Sequence, residues 1–126
     1  MPYSMNLPAA AERHYQDGCK LLADKRFDNA GYHFGLSAEC ALKQKLLDYG
    51  LFTDEEAYWQ HWPDLKGSAS LAIQGRQAAP AQKLLIRGSF MQNWTIKMRY
   101  SQNSFISEQQ AERWKDDANE TLGLLL

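Results

Sequence analysis

The chain contains no valine, and no stretch of it sustains an alternation of apolar and polar residues, so the usual marks of a β-sheet are missing. No apolar run approaches the roughly 18 residues that a membrane span needs. The N-terminus shows no basic segment followed by an apolar core, the pattern of a signal peptide. Cysteine is scarce: Cys19 and Cys40 are the two, each among small and apolar neighbours in a helical pattern. That is the setting of reduced, buried thiols in a cytoplasmic protein, although spacing alone leaves a bridge open. Charge of one sign is lacking too. Fourteen Lys and Arg against fifteen Asp and Glu leave a net charge of -1. Long-range attraction is thereby removed as a means of gripping nucleic acid or membrane, and only local basic patches remain.

Several chemical signatures are also missing. His14, His33 and His61 are far apart and none has HExxH spacing, so no metal site is expected. There is no GxSxG nucleophile elbow. Gly67-Ser68 and Gly88-Ser89 are isolated punctuation, and no glycine-rich phosphate loop or other cofactor motif occurs.

What is present is a folding composition. With 126 residues, 44% hydrophobic and 23% charged, the chain reads as one domain spanning 1–126. A domain of this length buries roughly two thirds of the surface its unfolded form exposes. Steps of three and four dominate the apolar pattern. Ala11, Tyr15, Gly18 and Leu22 mark a helix over 9–24, with Pro8 in its first turn. The short Asp24-Lys25-Arg26 break predicts an antiparallel neighbour. Phe27, Ala30, Phe34, Ala38 and Ala41 open the longest helix, 27–49, which Gly50 caps. Gly31 and Gly35 lower its intrinsic helicity by roughly 1 kcal/mol each, a cost explained by close approach of the first helix.

Thr53 and Glu56 form a capping-box pattern that starts a turn or two before Pro63, and Asp64 to Ile73 reads as a further short helix ended by Gly75. Pro80 opens a long helix over 80–99, with Ala81, Leu84, Leu85, Gly88 and Met91 on one face and local irregularity between Gly88 and Trp94. Tyr100 to Phe105 is a polar loop. Ser107 and Gln110 repeat the capping-box pattern before a last helix, 107–123. The fold class is therefore all-α: an antiparallel bundle of four to five helices.

Two polar groups stand out. Glu39 lies mid-helix beside the apolar stripe, where it either pairs with Lys43 four residues on or turns inward to Arg99 and fixes helix register. Aromatics gather with cations in two places, Tyr58-Trp59-His61-Trp62 and Trp94-Lys97-Arg99-Tyr100. Such mixtures suit core packing, protein interfaces or base stacking. Glu39, Lys43, Lys97, Arg99 and Tyr100 are accordingly the candidate binding residues. In an antiparallel bundle Glu39, Lys43, Arg99 and Tyr100 would surround one groove, with Lys43 and Arg99 holding a phosphate or an acidic partner.

The segment from Ala11 to Leu47, AERHYQDGCKLLADKRFDNAGYHFGLSAECALKQKLL, resembles the first helical hairpin of a HEPN domain, the higher eukaryote and prokaryote nucleotide-binding helical domain. Phe27, Ala30, Gly35, Ala38, Glu39, Ala41, Leu42 and Lys43 carry the likeness in helix 2. Lys97, Arg99 and Tyr100 stand where that family has an arginine–tyrosine pair, and Ser107 to Leu122 resembles its last helix. The resemblance implies a four- or five-helix bundle, commonly a homodimer. It implies activity as a metal-independent ribonuclease or toxin, or as a module that binds nucleotides, or that partners a nucleotidyltransferase or defence complex.

Nuclease members carry an arginine followed by four to six residues and a histidine near the last helix. Here no histidine follows His61, so Arg87, Arg99 and Arg113 lack that partner. Arg26 and His33 have the spacing but open helix 2. The expected function is therefore a non-catalytic module binding a nucleotide, RNA or a partner protein, in a toxin–antitoxin or defence setting. The alternatives are a ribonuclease drawing on Arg26, His33 or His61, and a purely structural assembly protein. Trp59, Trp62, Leu124 and Leu125 are the expected homodimer contacts.

Overall fold

A computed structural model describes residues 4–74 and 79–126. Among them are six α-helices and two 3-10 turns, with no strand: α1 (Leu7–Ala23), α2 (Phe27–Asp48), α3 (Asp54–Trp59), α4 (Asp64–Ile73), α5 (Ala79–Leu85), a 3-10 turn (Ile96–Tyr100), α6 (Glu108–Leu122) and a second 3-10 turn (Gly123–Leu125). The described residues form an all-α bundle whose six α-helices are one more than the upper bound of four to five. None of its described helices is long and apolar enough to cross a membrane. The residue expected to end α4, Gly75, lies outside the described residues.

Local chemistry explains most of the boundaries. Asn6 caps α1 by accepting from the Ala9 N–H at 3.1 Å. The box at α3 is complete: Thr53 Oγ1 accepts from Glu56 N–H at 3.1 Å, and the Glu56 carboxylate accepts from Thr53 N–H at 2.9 Å. At α6 the Ser107 hydroxyl accepts from Gln110 N–H. α2 is the central element, packed between α1 and α6, and its buried face runs from Ala30 to Leu46.

The expected long helix over 80–99 does not form. α5 stops at Leu85, and Met91 and Asn93 take positive φ values of 54° and 71°, which no α-helix accommodates. Stronger local partners replace the helical ladder. The buried Asp117 carboxylate on α6 accepts from Met91 N–H at 2.9 Å. Lys66 Nζ donates to the carbonyls of Arg87 at 2.8 Å and Phe90 at 2.9 Å. The segment so held drives Phe90 and Trp94 into the core.

The glycines of α2 serve these rings and not the first helix. A Cβ on Gly31 would stand 2.7 Å from the Trp114 ring, and one on Gly35 would collide with the Trp94 indole. The close approach to α1 is made instead by Gly18, beneath Phe34. Each buried tryptophan satisfies its indole N–H on a backbone carbonyl: Trp62 on Gly35 at 3.0 Å, Trp94 on Gly31 at 2.9 Å, Trp114 on Gln92 at 3.0 Å.

Candidate functional site

Glu39 and Lys43 are almost sealed from solvent, each 3% exposed, on the buried face of α2. Their contact is 2.9 Å, the helical pairing at i and i+4. The inward link to Arg99 is not made. The second partner of Glu39 is His61, from the connection between α3 and α4, whose Nδ1 lies 3.1 and 3.0 Å from the two carboxylate oxygens. A carboxylate paired with lysine only accepts, so Nδ1 carries the hydrogen, and in the neutral form of the ring the lone pair is on Nε2. Burial is what makes this arrangement rigid: neither Glu39 nor Lys43 has water to turn to.

His61 lines a groove of about 480 Å³. Trp59, Gln60 and Asp64 line it together with Thr95, Ile96 and Lys97 at the start of the 3-10 turn. The two aromatic–basic stretches, distant in sequence, therefore meet at one place. Trp59 is 69% exposed, and Lys97 is exposed as well. Trp62, expected at a dimer interface, belongs to the core at 1% exposure, edge-on to Phe90. Leu124 packs against the core and Leu125 is half-buried, so of the four expected interface residues Trp59 alone stands well clear of the surface.

Arg99 and Tyr100 lie on the same 3-10 turn but away from Glu39. The Arg99 guanidinium sits 5.0 Å from the Tyr100 ring centroid in a solvent-exposed pair, with Tyr100 79% exposed. Hydrogen bonding to the Tyr32 hydroxyl, then the proximity of Tyr100, pushes the Arg99 pKa further up, so it stays cationic. Arg99 lines a separate small cleft of about 110 Å³ with Asp28 and Asn29. The five candidate binding residues thus fall into two groups: Glu39 and Lys43 behind the groove, and Lys97, Arg99 and Tyr100 along its rim and beyond.

Arg26 and His33 do not act together. Arg26 lines a cleft at the start of α2, while His33 Nδ1 meets His14 Nδ1 at 3.0 Å across the α1–α2 seam. One ring must donate and the other accept, so the accepting ring is neutral. Burial, then His33 and Arg13, hold His14 down to about 4, against an opposing pull from Asp17 and Glu39. Burial lowers His33 as well. A folded pKa below the unfolded 6.5 means that stability is complete above that value and is lost as pH falls through about 4. Between pH 7 and pH 4.5 the wild type should therefore lose more thermal stability than His14→Asn, measured by circular-dichroism melting; equal losses would contradict the assignment.

Both cysteines are free and half-buried. Burial, then Glu39, pushes the Cys40 thiol up to about 11, which leaves little thiolate. No group of three or more His, Cys, Asp or Glu side chains placed to hold a metal ion occurs among the described residues.

Sequence reasoning missed three polar anchors: His61 on Glu39, the His14–His33 pair, and Asp117 with Lys66 around the 86–91 turn. All are contacts between segments remote in the chain, and no spacing pattern signals them. Compared with protein-family models, curated proteins and solved structures, the chain matches none.

Proposed function

We propose that the groove binds one or two nucleotides of a single-stranded RNA. Trp59 provides the stacking face, Lys97 and His61 meet the phosphate, and Gln60 and Asp64 offer hydrogen-bonding edges to a base. The observation that carries this reading is the convergence of Trp59, His61 and Lys97 on one groove. A ring 69% exposed has no core role to explain it. A site with few cations, one carboxylate and an exposed indole suits a short nucleotide segment and not a long charged track. Arg99 over Tyr100 extends the same aromatic–cation chemistry along the turn. The HEPN resemblance of residues 11–47 points the same way.

The test is fluorescence anisotropy of a labelled oligouridylate titrated with the protein at several salt concentrations. Trp59→Ala should weaken binding by ~1–3 kcal/mol, the worth of one stacked base. Lys97→Ala should weaken it and lower the salt slope by about 1. Both side chains are exposed, so melting temperatures should hold. Unchanged affinity in both variants would defeat the reading.

A second reading, metal-independent RNA cleavage, is favoured by one feature: Glu39 orients His61 and leaves Nε2 unclaimed. That nitrogen would accept the ribose 2′-hydroxyl proton, with Lys97 beside the phosphate. In the same titration, run with a chelator, it would show as shortened RNA that His61→Gln does not produce.

A further inference from the structure

A groove of about 790 Å³ lies on the other side of Trp59, between the start of α1, the end of α2 and α3. Its apolar wall includes Met5, Leu7, Leu47 and Tyr58. Met5 and Tyr58 remain 38% and 44% exposed, so the described residues leave the wall open. Its charged lining is of one sign. Asp54 and Glu55 face the groove, and no Lys, Arg or His among the described residues lines it. The next acid, Glu56, is occupied by the capping box, whereas Asp54 and Glu55 have no ion-pair partner among the described residues.

We infer that this groove docks a cationic amphipathic helix of a partner protein, its aliphatic face on Met5, Leu47 and Tyr58 and its Lys or Arg side chains on Asp54 and Glu55. Charge complementarity selects the sign of the partner, and the apolar trough selects its form. A free polyamine would meet the two carboxylates but leave the apolar wall wet. An apolar helix with acidic flanks would fill the trough and be repelled at its rim. An amphipathic helix places apolar residues at i, i+3, i+4 and i+7 with cations beside them, which answers both features at once. The groove shares Trp59, and no other lining residue, with the RNA groove, and its acidic and apolar contacts can fail without touching that reading.

The probe is a labelled 14-residue peptide of leucine and lysine in helical spacing, followed by anisotropy. The double variant Asp54→Lys, Glu55→Lys keeps Thr53 and Glu56, hence the cap. It should raise Kd at least tenfold. Glu108→Lys, Glu112→Lys changes net charge equally at exposed positions on α6, no residue of which lines the groove, and should leave Kd within about twofold. Tyr58→Ala should raise Kd severalfold at unchanged salt dependence. Circular dichroism confirms that each variant is folded. Equal weakening by the two charge variants would overturn the inference, because attraction would then be non-specific. So would equal binding of a leucine–glutamate peptide, or complete competition by spermine at matched charge. A second copy seated in the groove would overturn it too: sedimentation would then show a dimer that Asp54→Lys, Glu55→Lys disperses.

Discussion

Glu39→Ala should destabilise the protein by ~3–5 kcal/mol, the range for breaking a buried ion pair from one side. The loss of the carboxylate is only part of the cost. Lys43, 3% exposed, would keep its ammonium in an apolar surround with its 2.9 Å partner gone. Urea denaturation monitored at equilibrium measures the change directly. The paired substitution Glu39→Leu, Lys43→Met should recover most of the stability, because replacing both charges removes the desolvation cost along with the attraction. It should not restore the orientation of His61, whose Nδ1 depends on the same carboxylate. A loss under about 1 kcal/mol in the single variant would mean that Lys43 escapes to water.

Gly35→Ala should be about as severe, for a steric reason. The added methyl would occupy the space of the Trp94 indole, whose N–H edge beside Gly35 is bonded to the Gly31 carbonyl and whose ring is stacked on Tyr32 at an 11° angle. The ring cannot yield by a few tenths of an ångström. It must leave its slot, which costs much of what Trp94→Ala would cost, ~3–5 kcal/mol. Overpacking alone in a yielding core would cost only ~1–3 kcal/mol. The two changes should therefore be strongly non-additive: Gly35→Ala combined with Trp94→Ala should be little worse than Trp94→Ala alone. Additive losses would show that the methyl and the indole do not compete for the same space.

These two residues also mark where the sequence is legible. Small residues at positions 31 and 35 of a long helix announce that something packs close, but not whether it is a helix backbone or an indole. The ring arrives from a segment whose own pattern is helical. Ala81, Leu84, Leu85, Gly88 and Met91 satisfy helical spacing, and nothing local reveals that Asp117 and Lys66 will hold the backbone of 87–91 otherwise. Tertiary partners override propensity there. Elements whose determinants are local were readable to within a residue or two: α2, α4, the Thr53–Glu56 box and the Ser107 cap.

The site followed the same division. The Glu39–Lys43 pair is a local i, i+4 relation and was readable. Its extension to His61 joins α2 to the connection after α3, so the expected partner Arg99 gave way to one that no spacing indicated. Trp59 and Trp62 are alike in sequence, in a stretch too short for a periodicity to sort them. In the fold they part completely, one at the groove and the other under Phe90.

The binding claim is tested most directly by the indole N–H signals of the four tryptophans, followed by nitrogen-15 NMR as oligouridylate is added. Trp62, Trp94 and Trp114 have their indole N–H groups bonded to backbone carbonyls inside the protein and serve as internal references. Expected is a saturable shift of the Trp59 indole signal, lost in the Lys97→Ala variant at the same RNA concentration, while the other three stay in place. A Trp59 signal that does not move at RNA concentrations that saturate wild-type binding would contradict the assignment of the groove.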